Sequence, residues 1–226
     1  MNITHISIIK KIIMPHTSII NIIILLLVII ISNEENKITL KVKGTGGKAQ
    51  IWWTYFYPQP DSILVGGESQ SLDGENKVDV GTEETTVELI WSYNFDSFYG
   101  IFYSLESIIS IDLSEFSFSG IKNMLSAFDN CTNLKSINFG NFDTSSVTTM
   151  YGLFYNDINL LEVDLSNLNL EKVEDMRFMF ENSGVKKVNF KNCKTPSLIG
   201  MYNMFEHCHN LTSIDLSMFN TSNVLD

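Results

Sequence analysis

Glu162-Val163-Asp164-Leu165-Ser166 decides how this chain is read. In an extended segment, Val163 and Leu165 face one way, while Glu162, Asp164 and Ser166 face the other. The same core recurs as Ile111-Asp112-Leu113, Ile137-Asn138-Phe139, Val188-Asn189-Phe190 and Ile214-Asp215-Leu216, in steps of 26, 26, 25 and 26 residues. Further columns keep this phase: Phe116, Phe142, Leu168, Cys193, Phe219; Ile121, Val147, Val173, Leu198, Val224; Met124, Met150, Met176, Met201; and Phe128, Phe154, Phe180, Phe205. A unit of this size cannot bury its apolar side alone, so neighbouring units must stack.

Within one unit, Leu160, Val163 and Leu165 form an L-x-x-L-x-L pattern, which predicts a short strand at a leucine-rich-repeat corner. Val173, Met176 and Phe180 follow at i, i+3 and i+7, which predicts a short helix, with residues such as Ser145 and Ser146 capping its counterpart in the preceding repeat. The column Asn133, Asn159, Gly184, Asn210 mixes the two residues most tolerant of left-handed backbone, and predicts a helix C-cap. The expected fold class is α/β: a leucine-rich-repeat-type solenoid of short parallel strands and short helices over 105–226.

Two regions precede the repeats. Alternation at Ile38, Leu40 and Val42, the aromatic run Ile51–Tyr57, and the runs at 63–65, 78–80 and 87–89 predict a small β-rich cap domain over 37–90. Residues 91–104 read as a degenerate half-repeat, because Phe98-Tyr99-Gly100-Ile101-Phe102-Tyr103 echoes Met150-Tyr151-Gly152-Leu153-Phe154-Tyr155. The aromatic run at 51–57 reads as core, with a carbohydrate or membrane platform as the other reading. Lys10 and Lys11 stand before an apolar run from Ile19 to Ile31 broken only by Asn21, so 1–32 is expected to be a hydrophobic helix acting as signal peptide or signal anchor.

Net charge is −11, distributed as +2 over 1–32, −6 over 33–104 and −7 over 105–226. An acidic body repels a phosphate backbone, so no nucleic-acid partner is expected. Three cysteines do not make a disulfide framework, and Cys131, Cys193 and Cys208 read as free, buried thiols, with a Cys193–Cys208 pair left open. Catalysis is not expected. Outside the leader the histidines are His207 and His209, and neither a phosphate-binding glycine loop nor a nucleophile elbow is present. No cofactor or metal site is expected, since His207-Cys208-His209 lacks a second ligand pair at suitable spacing.

The candidate ligand-binding residues are those pointing outward from the strands: Ser110, Asp112, Ser136, Asn138, Glu162, Asp164, Lys187, Asn189, Ser213 and Asp215. Alternating Asp and Asn in one column spaces the carboxylates two strands apart. Lys186, Lys187, Lys191 and Lys194 cluster in the fourth repeat and read as balancing neighbouring acids, or as an anion patch. Asn130 and Asn220 fall in glycosylation acceptor patterns.

Asn141-Phe142-Asp143-Thr144-Ser145-Ser146-Val147 and Asp215-Leu216-Ser217-Met218-Phe219-Asn220-Thr221-Ser222-Asn223-Val224 closely resemble the BspA-like leucine-rich repeats of about 26 residues. That resemblance covers 105–226 and implies a secreted or surface-attached protein without catalytic residues, engaged in adhesion. The expected partner is a protein or cell-surface ligand, with membrane contact only through the N-terminal segment. The alternative is a scaffold that self-associates at its C-terminal edge, where the fifth repeat stops early.

Overall fold

The computed structural model describes residues 36–225 except Tyr57, Leu72, Asp73, Glu75 and Phe118. The hydrophobic helix and leader expected over 1–32 lie outside the described residues. Ten strands occur among the described residues: β1 Asn36–Val42, β2 Lys48–Gln50, β3 Ser62–Val65, β4 Glu68–Gln70, β5 Lys77–Asp79, β6 Thr85–Trp91, β7 Ile108–Asp112, β8 Ser136–Asn138, β9 Glu162–Asp164 and β10 Lys187–Asn189.

The expected α/β class is overturned, because the described residues contain no α-helix. The segments expected to be helical are successions of turns that bond sideways. Met176, Phe178, Phe180 and Asn182 donate their N–H groups to the carbonyls of Gly200, Tyr202, Met204 and Glu206 in the next repeat, at 2.8–2.9 Å. Met150, Gly152, Phe154 and Asn156 do the same one repeat earlier, as do Met124, Ser126, Phe128 and Asn130 before them. Between these amides, tight turns close, as from the Met179 N–H to the Met176 carbonyl. A helix would need those amides for bonds four residues back along its own chain.

Left-handed backbone at two positions per repeat makes the helix impossible as well. Gly100, Ser126, Gly152, Phe178 and Asn203 form one such column, and Ser104, Asn130, Asn156, Asn182 and His207 the other, with φ between 50° and 60°. Apolar side chains still return every three or four residues, as at Val173, Met176, Met179 and Phe180, and this is the spacing that imitates an amphipathic helix.

The expected left-handed column is corrected too. Asn133, Asn159, Gly184 and Asn210 do not have positive φ. Asn133, Asn159 and Asn210 instead donate side-chain N–H groups to the carbonyls of Glu106, Thr132 and Gly184 in the preceding repeat. Glycine stands at 184 because a Cβ there would lie 2.1 Å from the Ile158 carbonyl oxygen.

Strand pairing follows the repeat phase. β7 runs parallel to β8, pairing Ser110 with Ser136 and Asp112 with Asn138, and β9 runs parallel to β10, pairing Glu162 with Lys187 and Asp164 with Asn189. A second parallel ladder of single bridges links Ser97, Asn123, Thr149, Asp175 and Gly200. Between the ladders the apolar columns meet in one core. The rings of Phe102, Phe128, Phe154, Phe180 and Phe205 stack within 18° of parallel at 5.3–6.0 Å.

The preceding region shares this sheet. The order β4-β3-β6-β1-β7-β8 places β1 antiparallel to both β6 and β7, so β1 covers the free edge of the first repeat strand. Of the run Ile51–Tyr57, residues 51–56 do not form the expected strand, and Tyr57 lies outside the described residues. Trp52 and Phe56 turn into the core, the Phe56 N–H bonds the Trp53 carbonyl at 2.9 Å, and Trp53 packs over Gly100. No helix among the described residues is long and apolar enough to cross a membrane.

Candidate functional site

Two exposed faces emerge. The first is the strand face, continued by the fifth repeat, where Ile214-Asp215-Leu216 does not form the expected strand and Ser213 and Asp215 stand on irregular backbone. Ser136, Asn138, Glu162, Asp164, Lys187, Ser213 and Asp215 are exposed, and Ser110, Asp112 and Asn189 are partly exposed. The Asp/Asn column holds its own backbone. Oδ1 of Asp112, Asn138, Asp164, Asn189 and Asp215 accepts the N–H two residues on, at 2.8–3.1 Å. Asn138 and Asn189 also donate to Asp112 and Asp164 of the preceding repeats, at 3.1 and 3.0 Å. Hydrogen bonding to Ser166 and to Ser217 holds the Asp164 and Asp215 carboxyls below the ordinary carboxylate range. The Asp164 and Asp215 carboxyls therefore stay ionised to lower pH than ordinary carboxylates, and the neighbouring outward column is Ser110, Ser136, Glu162, Lys187 and Ser213. Lys186, Lys191 and Lys194 are exposed beside that column.

The second face is formed by the turns. Its outward columns are Tyr99, Leu125, Tyr151, Arg177, Tyr202 and Tyr103, Asp129, Tyr155, Glu181, Glu206. Tyr99, Tyr103 and Tyr202 are exposed, and Tyr55, 80% exposed, packs edge-on to Trp53 at the N-terminal end of this face. Arg177 chelates Asp175 at 2.8 and 3.0 Å and lies over the Tyr151 ring at 5.6 Å. A cleft of about 310 Å³ opens above Gly152, lined by Asp129, Tyr151, Tyr155, Phe178 and Glu181. Burial pushes the Asp129 carboxyl up to about 6, against a hydrogen bond from Ser126 that lowers it. The echo between 98–103 and 150–155 already marks the tyrosine pairs of this face, but it gives no sign of the acids between them.

Behind the turns lies the column Cys131, Asp157, Ser183, Cys208, all buried, of which sequence reasoning had the two cysteines but missed Asp157 and Ser183. Asp157 accepts the Cys131 N–H at 2.8 Å through Oδ1, while Oδ2 has no partner. Burial drives this carboxyl well above its ordinary range. A charged residue in phase with two cysteines and a serine was the available signal. The three cysteines are free and buried, and their thiols donate to the carbonyls of Phe102, Leu165 and Phe180 at 2.9–3.2 Å. Among the described residues no group of His, Cys, Asp and Glu could hold a metal ion.

Of the acceptor asparagines, Asn130 is engaged within the stack. Its side-chain N–H donates to Ser104 Oγ, and its Oδ1 accepts from Asn156. Asn220 is exposed, and its Oδ1 accepts the Ser222 N–H.

A helix-free stack of 25- and 26-residue units with two ordered outer faces defines a repeat protein. Residues 96–219, more than half of the chain, match the family described as "Mycoplasma protein of unknown function, DUF285". The chain belongs to that family. No curated protein and no solved structure matches it significantly.

Proposed function

We propose that this chain is an exported or surface-attached binding protein, not an enzyme, which engages a protein or cell-surface ligand through its strand face. The observation that carries the reading is the exposed row of Ser136, Glu162, Lys187 and Ser213, in which Glu162 and Lys187 lie on strands paired in register and Asn189 bonds Asp164 beside them. The resemblance to BspA-like surface repeats supports the same reading. So does the net charge of −11, which disfavours nucleic acid.

Two measurements test the reading. Beads carrying the full chain are expected to adhere to intact cells, whereas a triple variant Ser136→Arg, Glu162→Arg, Ser213→Arg loses adhesion at unchanged thermal stability. Equal adhesion by the two would exclude the strand face. Protease shaving of intact native cells is expected to remove the protein, and complete protection would overturn export.

A further inference from the structure

We infer that the cleft above Gly152 is a binding site for an alkylammonium or guanidinium group, presented as a lysine or arginine side chain by a polypeptide partner. This site lies on the turn face and does not depend on the strand-face reading.

The floor of the cleft is backbone. Gly152 has φ 58°, and a Cβ there would point at Ser126 Oγ 3.3 Å and Asp129 Oδ2 3.9 Å away. Without that side chain, the space between Gly152, Ser126 Oγ and Asp129 Oδ2 stays open. Tyr151 and Phe178, with centroids 5.1 Å apart, and Tyr155 supply aromatic walls. Asp129 and Glu181 stand on the repeats to either side of Tyr155 and supply negative charge from both sides.

The charges point to a cation. Neither Asp129 nor Glu181 forms an ion pair with a cation among the described residues, since Arg177, the nearest one in sequence to Glu181, chelates Asp175. Glu181 Oε2 is shielded from solvent and accepts no hydrogen bond, so a donor placed in the cleft would satisfy it. The high position of the Asp129 carboxyl fits an acid that lacks a counter-ion in the free protein. Aromatic faces and carboxylates together select a cation with an apolar stem, because the rings cover the methylenes while the carboxylates and ring quadrupoles hold the charge. The molecule already makes one such contact beside the cleft, where Arg177 lies over Tyr151. A volume near 310 Å³ holds one side chain and is too small for a folded element.

The test is titration of the full chain, carrying labelled Tyr and Phe rings, with blocked lysine and blocked arginine amides. Neutral Nε-acetyl-lysine amide and tetramethylammonium are the controls. The Tyr151, Tyr155 and Phe178 ring signals are expected to shift with the cationic amides and to remain still with the acetylated one. Glu181→Gln is expected to weaken binding about tenfold. Gly152→Asn fills the cleft at a position where Asn203 shows that the same left-handed backbone accepts asparagine, and it is expected to abolish the shifts while the fold is retained. The site is overturned if these rings do not respond, if the neutral amide binds equally well, or if Gly152→Asn binds like the parent. Binding of tetramethylammonium with no response to either amino acid would leave a small-cation site and overturn the polypeptide source.

Discussion

Asn156 shows what the repeat demands of one residue. Its φ is 58°, its amide donates to Asn130, and its Oδ1 accepts from Asn182 at 2.5 Å. Asparagine tolerates left-handed backbone, and its carboxamide both donates and accepts, so the side chain continues a ladder from one repeat to the next. Asn156→Ala removes both ladder bonds while keeping a Cβ in the left-handed region, where alanine is less tolerated than asparagine. The expected loss is about 2–3 kcal/mol. Asn156→Gly removes the same bonds but fits the backbone, so it is expected to lose about 1 kcal/mol less. Urea denaturation of the two variants measures the difference, and alanine proving milder than glycine would contradict it. The sequence pointed to a left-handed asparagine column but put it three residues late, at Asn133, Asn159 and Asn210. Both columns carry Asn because both use its amide; only one also uses its backbone freedom, and a residue name does not separate those uses.

At the scale of elements, four of the five expected repeat strands were legible, the one at Ile214-Asp215-Leu216 does not form, and the element joining them was not legible. Strand cores announce themselves because side chains alternate strictly, and β7 to β10 all fall on the repeated I/V-D/N-L/F motif. The turn segments bury Met176, Met179 and Phe180 at spacings that also suit a helix. What excludes a helix is the backbone: sideways amide bonds and the positive φ of Phe178. That choice is made between repeats, and no single repeat encodes it. Among the candidate site residues, the outward direction of Glu162 and Asp164 was readable from alternation, whereas the cleft at Gly152 was not, because its walls come from three different repeats. The phenylalanine stack offers the measurement at this scale. Phe154 is fully buried, with Phe128 and Phe180 each 5.3 Å away, so Phe154→Ala is expected to cost about 3–5 kcal/mol. Phe205 stacks on Phe180 at 5.4 Å but keeps part of its surface in solvent, and Phe205→Ala is expected to cost roughly half as much. Calorimetry of both variants checks the order, and equal losses would show that burial along the stack does not govern its stability.

For the whole molecule, acidity sets the pH dependence, and two classes of carboxyl act in opposite directions. Asp129 and Asp157 have pKa values raised by burial, so the folded state binds their protons more tightly than the unfolded chain does. Their contribution is complete below the ordinary aspartate value of 3.8 and is lost as pH rises through their raised values, about 6 for Asp129. Asp143, Asp164 and Asp215 are lowered by hydrogen bonds, chiefly to Ser145, Ser166 and Ser217, so their contribution is present above 3.8 and is lost as pH falls. Stability is therefore expected to climb as pH drops from 7, pass through a maximum near pH 4, and then decline. Relief of self-repulsion in a chain of net charge −11 acts in the same direction on the upper limb. The variants separate the two causes. Asp129→Asn is expected to flatten the slope between about pH 4 and 6 by on the order of 1 kcal/mol after solvent screening. Asp157→Asn keeps an oxygen that can accept the Cys131 N–H and removes the charge, so it is expected to stabilise the fold at neutral pH and flatten the slope above the ordinary carboxylate range. Thermal melts of the parent and both variants from pH 3 to 8 decide the matter. An unchanged slope in both variants would assign the dependence to net charge alone, whereas a slope lost only with Asp157→Asn would make the buried column, and not the cleft, the seat of the effect.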